Sequence, residues 1–114
     1  MSELLTTGTW IVAATKQAAF VKAWASFAEW ASSRPGAGVL RLSVDTGDRT
    51  RYVSFGVWED TASVRAWKSA PEFRERLARV LQHVDEFHPA ELEVTAAATN
   101  GSSTLSLAAS HGRG

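Results

Sequence analysis

Three histidines, His83, His88 and His111, are the side chains of this chain that can titrate near neutral pH without help from their surroundings. His83 follows Arg76 by seven residues, so on a continuous helix the two project the same way. At the rim of a cavity such a pair could bind an acidic phenol and take its proton. The same spacing also describes two half-exposed side chains bordering the apolar stripe of an amphipathic helix, and both readings stand open. His88 precedes Pro89 at an expected helix-to-strand turn, where a backbone hydrogen bond suits it, and His111 belongs to the tail. The chain has no cysteine, which excludes disulfides, thiolate nucleophiles and Cys-ligated metals. The sequence contains no paired carboxylates, no metal-binding His cluster, no phosphate loop and no Ser-His-Asp arrangement, so no metal is expected.

With 114 residues the chain is long enough for one domain and too short for two. Lys+Arg and Asp+Glu are 12 each, and the zero net charge points to neither nucleic acid nor an anionic membrane as partner. No apolar run is long enough to span a bilayer. The opening MSELLTTG lacks the basic start and apolar stretch of a signal peptide, so the cytoplasm is the expected compartment. Five tryptophans and five phenylalanines are many for this size; each is read either as core or as the lining of a pocket for a flat aromatic ligand.

Several elements must position these groups. Residues 9–15 are rich in β-formers and predict a first strand. From Gln17 the period becomes helical, with Phe20, Trp24, Phe27 and Ala31 on one face, and Arg34-Pro35-Gly36 ends the helix. Gly38–Asp45 alternates, with Leu40, Leu42 and Val44 on one side, and Arg49–Trp58 pairs with it across a turn at Thr46-Gly47-Asp48. Within that second hairpin strand Val53, Phe55 and Val57 share one face, and Tyr52, Ser54 and Trp58 share the other. Asp60 or Thr61 can cap a short helix carrying Val64 and Trp67. Ser69-Ala70-Pro71-Glu72 has capping-box spacing, and the helix it opens is expected to run through Phe87 to a break at Pro89. Glu91–Ala97 predicts the last strand. Residues 1–97 form the expected domain, and residues 98–114 a small, polar, flexible tail with a possible edge pairing at Leu105 and Leu107.

The order β-α-β-β-α-β is that of an α+β, ferredoxin-like fold with a four-stranded antiparallel sheet. Strands 1 and 3 should be central. Helices can cover one face of such a sheet, and the apolar second face is expected to meet another copy, giving a homodimer.

The run Tyr52-Val53-Ser54-Phe55-Gly56-Val57-Trp58-Glu59-Asp60, with Ala66-Trp67-Lys68-Ser69, Phe73 and Arg34-Pro35-Gly36, resembles the antibiotic-biosynthesis-monooxygenase family of dimeric α+β barrels. The resemblance covers about residues 8 to 97. It implies a pocket between helices and sheet, no cofactor, and dioxygen with a small aromatic substrate as reaction partners. Trp58 matches the tryptophan that family enzymes place in the pocket, and Ser54 replaces an asparagine found in some members. A second asparagine, on strand 1, has no counterpart near Val12 or Ala13. The resemblance together with strand parity implies a site in which Trp58 and Ser54 face a cavity roofed by Phe20, Trp24, Phe27, Leu77 and Val80. Trp67 would close one end, and Arg76 and His83 would stand at the mouth, with Trp58, Ser54 and His83 as the catalytic set. Haem-degrading relatives use a tryptophan near Trp67, but their iron-binding histidine falls here at Arg76 or Leu77, neither a usual iron ligand.

Three functions follow as expectations. The first is a cofactor-independent monooxygenase acting on an aromatic polyketide-like or quinol substrate. The others are a non-oxidative isomerase or cyclase on the same scaffold, and a non-catalytic small-molecule-binding barrel.

Overall fold

A computed structural model of the chain describes residues 3–98 and the pair 105–106. Its main sheet has four antiparallel strands in the order β2-β3-β1-β4, formed by β1 (Leu4–Ile11), β2 (Ala37–Asp45), β3 (Asp48–Trp58) and β4 (Glu86–Glu93). The helices are α1 (Gln17–Ser32), α2 (Thr61–Ser69) and α3 (Pro71–Leu81). The fold is the expected α+β, ferredoxin-like sheet with β1 and β3 central.

Burial alternates strictly along β1 and along β3 from Tyr52 onward. Leu4, Thr6, Gly8 and Trp10 therefore face the helices from β1, and Tyr52, Ser54, Gly56 and Trp58 from β3. Against them α1 buries Phe20, Trp24, Phe27, Ala28 and Ala31. Phe20 lies between Trp10 and Tyr52, with ring centroids 5.5 and 5.0 Å away. Full burial of a ring of this size contributes roughly 1.5–3 kcal/mol.

The chain leaves α1 through Gly36, whose φ of 83° is left-handed. Asp60 caps α2 as expected, its Oδ1 accepting from the Ser63 backbone N–H at 2.8 Å and from Ser63 Oγ at 2.8 Å. The capping box at Ser69 does not form. Ser69 ends α2 and donates to the Ala66 carbonyl, and Ala70 caps α3 without a side-chain bond.

Two boundaries differ from expectation. The first strand begins at Leu4 rather than Thr9 and ends at Ile11, because Thr6 and Gly8 take inward positions that a hydrophobic pattern does not flag. The last helix ends at Leu81 rather than Phe87, and β4 begins at Glu86 rather than Glu91. The Asp85 N–H donates to the Ile11 carbonyl and draws the chain into the sheet. Pro89 thus sits within an edge strand, where a missing N–H is tolerated, instead of breaking a helix.

The opposite sheet face carries Leu5 and Ile11 from β1 and Val53, Phe55 and Val57 from β3. Leu92 of β4 pairs with Leu5, which pairs with Val57. Val39 and Leu92 are each 48% exposed. No described helix covers this face. C-terminal to β4 in the chain, Ala97–Ala98 (β5) pairs antiparallel with Leu105–Ser106 (β6). The rest of the expected tail, including Leu107, lies outside the described residues.

Candidate functional site

The two central strands carry the same alternation, Thr6-x-Gly8-x-Trp10 on β1 and Ser54-x-Gly56-x-Trp58 on β3. Their antiparallel register sets Thr6 opposite Gly56 and Gly8 opposite Ser54. Each hydroxyl thus faces the other strand's glycine, and each indole reaches across to it. Trp10 Nε1 donates to Ser54 Oγ at 2.9 Å, and Trp58 Nε1 donates to Thr6 Oγ1 at 3.0 Å.

The glycines make this crossing possible. A Cβ on Gly8 would lie 2.9 Å from Trp10 Nε1, 2.9 Å from Phe87 Cε1 and 3.1 Å from Ser54 Oγ. One on Gly56 would lie 3.1 Å from Thr6 Oγ1 and 3.2 Å from Trp58 Nε1. All four polar groups are buried and paired, as buried polar groups must be. Because Ser54 Oγ accepts from the indole, its own proton is available to a further acceptor.

Above this floor is a cavity of about 190 Å³. Thr6, Gly8, Trp10, Ser54 and Gly56 form its base, and Phe87 and Pro89 its β4 side. Trp24 and Phe27 of α1, Trp67 and Lys68 of α2, and Phe73 and Leu77 of α3 enclose it. Phe87 stacks on Trp10 with centroids 4.1 Å apart, and Phe73 meets Trp67 edge-on at 5.0 Å. Aromatic rings therefore make up much of the wall, in two groups, Trp10 with Phe87 and Trp67 with Phe27 and Phe73.

Ser54, Trp24, Phe27, Trp67 and Leu77 meet at this cavity as the strand parity and family likeness implied. Trp58 does not reach its surface. It is fully buried and stacked behind Trp67 at 4.5 Å, so it holds the wall from outside. Phe20 and Val80, both fully buried, also lie outside the lining.

Arg76 and His83 come together, but elsewhere. They border a separate surface depression between α1 and α3, with Ala23, Ser26, Phe27, Arg79 and Gln82. Arg76 rests over the Trp30 ring, 5.2 Å from its centroid. His83 lies past the end of α3, its N–H bonded to the Val80 carbonyl in a turn. Phe27 separates this depression from the cavity. His88 is an exposed residue of β4 with Nε2 3.2 Å from Glu86 Oε1.

Thr6, Gly8, Trp10, Gly56, Lys68, Phe73 and Phe87 were not expected at the site. The matched hydroxyl-x-Gly-x-Trp alternation on two strands was the signal available for five residues of the floor. Two buried side-chain polar atoms among the described residues lack a partner, Trp67 Nε1 and Arg34 Nε. The carboxylates with clearly perturbed ionisation lie away from the cavity. The Gly47 backbone N–H, with Arg51 assisting, holds Asp45 below its usual value, and the Ser63 backbone and side chain do the same for Asp60.

Fold and site together define a small α+β protein with an aromatic-walled cavity between helices and sheet. The family model for antibiotic biosynthesis monooxygenase matches residues 7–79, more than half the chain, and the chain belongs to that family. No curated protein matches it significantly. Among solved structures it is similar to SnoaB, a cofactor-independent oxygenase from Streptomyces nogalater. The likeness has a TM-score of 0.72 at 20% identity, covering 90% of this chain and 100% of that one. A SnoaB variant superposes with a TM-score of 0.74 at 18% identity, covering 81% of this chain and 92% of that one. A conserved protein from Methanosarcina mazei Go1 matches with a TM-score of 0.74 at 15% identity, covering 81% of this chain and 92% of that chain. At these identities the likeness is one of fold.

Proposed function

We propose that the protein is a cofactor-independent monooxygenase that oxidises a small aromatic substrate of the quinol or polyketide-like type in the Ser54 cavity. The observation that carries this reading is the aromatic lining around a floor where Ser54 retains a free hydroxyl proton. An apolar cavity of about 150 Å³ takes one benzene-sized ring. The volume here, about 190 Å³, takes a benzene-sized ring with room to spare, and its open side lets a larger fused-ring substrate extend from it.

The chemistry asks little of the protein. A substrate CH2 group made acidic by flanking rings loses one proton to water at the cavity mouth, and the carbanion transfers an electron to dioxygen. Recombination forms a C–O bond, and the hydroperoxide anion takes up a proton. Loss of water then leaves a ketone, so one oxygen atom enters the product and the other leaves as water. The cavity would supply dryness, ring stacking and the Ser54 hydroxyl as donor to the developing oxyanion. Trp58 would act through Trp67 and Thr6 as a positioning residue, and Arg76 and His83 would take no part.

A second reading, a non-catalytic binding barrel, is favoured by one observation: the cavity lining contains no carboxylate and no imidazole among the described residues. An oxygen electrode with a panel of anthrones and quinols separates the two. Consumption of dioxygen with ketone formation supports the oxygenase, and binding without consumption supports the barrel.

We further propose that a second copy covers the open sheet face, burying Phe55 and Val57 around a two-fold axis. The apolar row from Leu92 through Leu5 to Val57 supports this reading.

A further inference from the structure

We propose that the cavity selects anionic aromatic ligands, with Lys68 as counter-ion exchanged from Glu91. The inference rests on reading the cavity as a ligand site, and it names the charge of what enters.

Lys68 occupies the last turn of α2 and is the one charged side chain lining the cavity among the described residues. Its ammonium is bonded to the carboxylate of Glu91 on β4. Glu91 pairs in register with Thr6, so it lies on the helix-facing side of the edge strand, two residues beyond Pro89 in the cavity wall. The ion pair therefore ties α2 to the sheet edge beside the cavity. Its side chains are 36% and 45% exposed, and ion pairs in such surroundings are weak and readily exchanged.

A second polar side chain of the lining points to the same ligand, since Ser54 has a hydroxyl proton to give. This donor together with one cation favours a ligand presenting a carboxylate, phenolate or enolate oxygen over a neutral ring of the same shape.

The test compares 2-naphthoate with its neutral isostere 2-naphthamide on the full chain, by quenching of tryptophan fluorescence at neutral pH. We expect naphthoate to bind at least about tenfold more tightly, a difference of roughly 1.4 kcal/mol. Lys68→Met, which keeps the apolar stem, should bring the two probes to parity without weakening naphthamide. Glu91→Gln should tighten naphthoate and leave naphthamide unchanged. Equal binding of the probes to the unaltered chain, or a preference that survives in Lys68→Met, overturns the proposal while leaving the cavity reading intact. Binding of neither probe overturns both. Thermal melts of the variants keep loss of folding separate from loss of recognition.

Discussion

Trp58 and Thr6 are joined across the central strands by an indole N–H that donates to the hydroxyl at 3.0 Å, and Trp10 and Ser54 repeat the arrangement in the opposite sense. Trp58 is fully buried, so Thr6 is its means of satisfying that donor. Replacing Thr6 with Val keeps the shape and removes the acceptor. Leaving a buried donor unpaired is expected to destabilise by about 1–3 kcal/mol. Urea unfolding of Thr6→Val beside Thr6→Ser measures this, and Thr6→Ser should retain most of the stability. Equal losses in the two would show that the hydrogen bond carries little.

The Asp60 cap predicts a pH dependence. Its carboxyl is lowered below the ordinary 3.8 by the Ser63 backbone N–H and then the Ser63 hydroxyl. A depressed value means that the stabilisation is fully present above the unfolded-state pKa, about 3.9, and is lost as pH falls through the folded value. Asp60→Ala should therefore melt below the unaltered chain at pH 7, and the gap should close as pH falls below about 4. A gap that persists undiminished in acid would place the effect in packing instead of charge.

The parts of the fold legible in the sequence are those whose inward residues are large and apolar. The helical period of Phe20, Trp24 and Phe27 and the alternation of β3 were sufficient. The start of β1 was not, because its inward residues include Thr6 and Gly8, which a hydrophobic pattern treats as loop. Pro89 looked like a helix breaker because nothing in the sequence states that β4 is an edge. The cavity was partly legible for a related reason. Parity on β3 placed Ser54 correctly and said nothing of how deep Trp58 lies once Trp67 stacks on it. Arg76 and His83 share one side as their spacing implies, but that side borders a depression against α1 that is separate from the cavity.

The proposed dimer gives a third prediction. Phe55 lies on the open face between Val53 and Val57, and Phe55→Asp would put a charge without a partner into the interface. Light scattering at micromolar concentration should report a dimer for the unaltered chain and a monomer or an insoluble product for Phe55→Asp. A monomeric unaltered chain would refute the dimer and leave the cavity argument untouched.

Oxygen uptake by the unaltered chain and by Leu77→Trp, with the same anthrones and quinols, tests the central claim most directly. Leu77 lines the cavity from α3, and an indole there fills the space a substrate ring requires. The account predicts uptake by the unaltered chain with at least one of these substrates, with the ketone formed in equal amount. Leu77→Trp, folded by its thermal melt, should fall by at least about tenfold, roughly 1.4 kcal/mol in the barrier. Equal uptake by the two proteins, or none by the unaltered chain with any member of the panel, would contradict oxygenation in the Ser54 cavity.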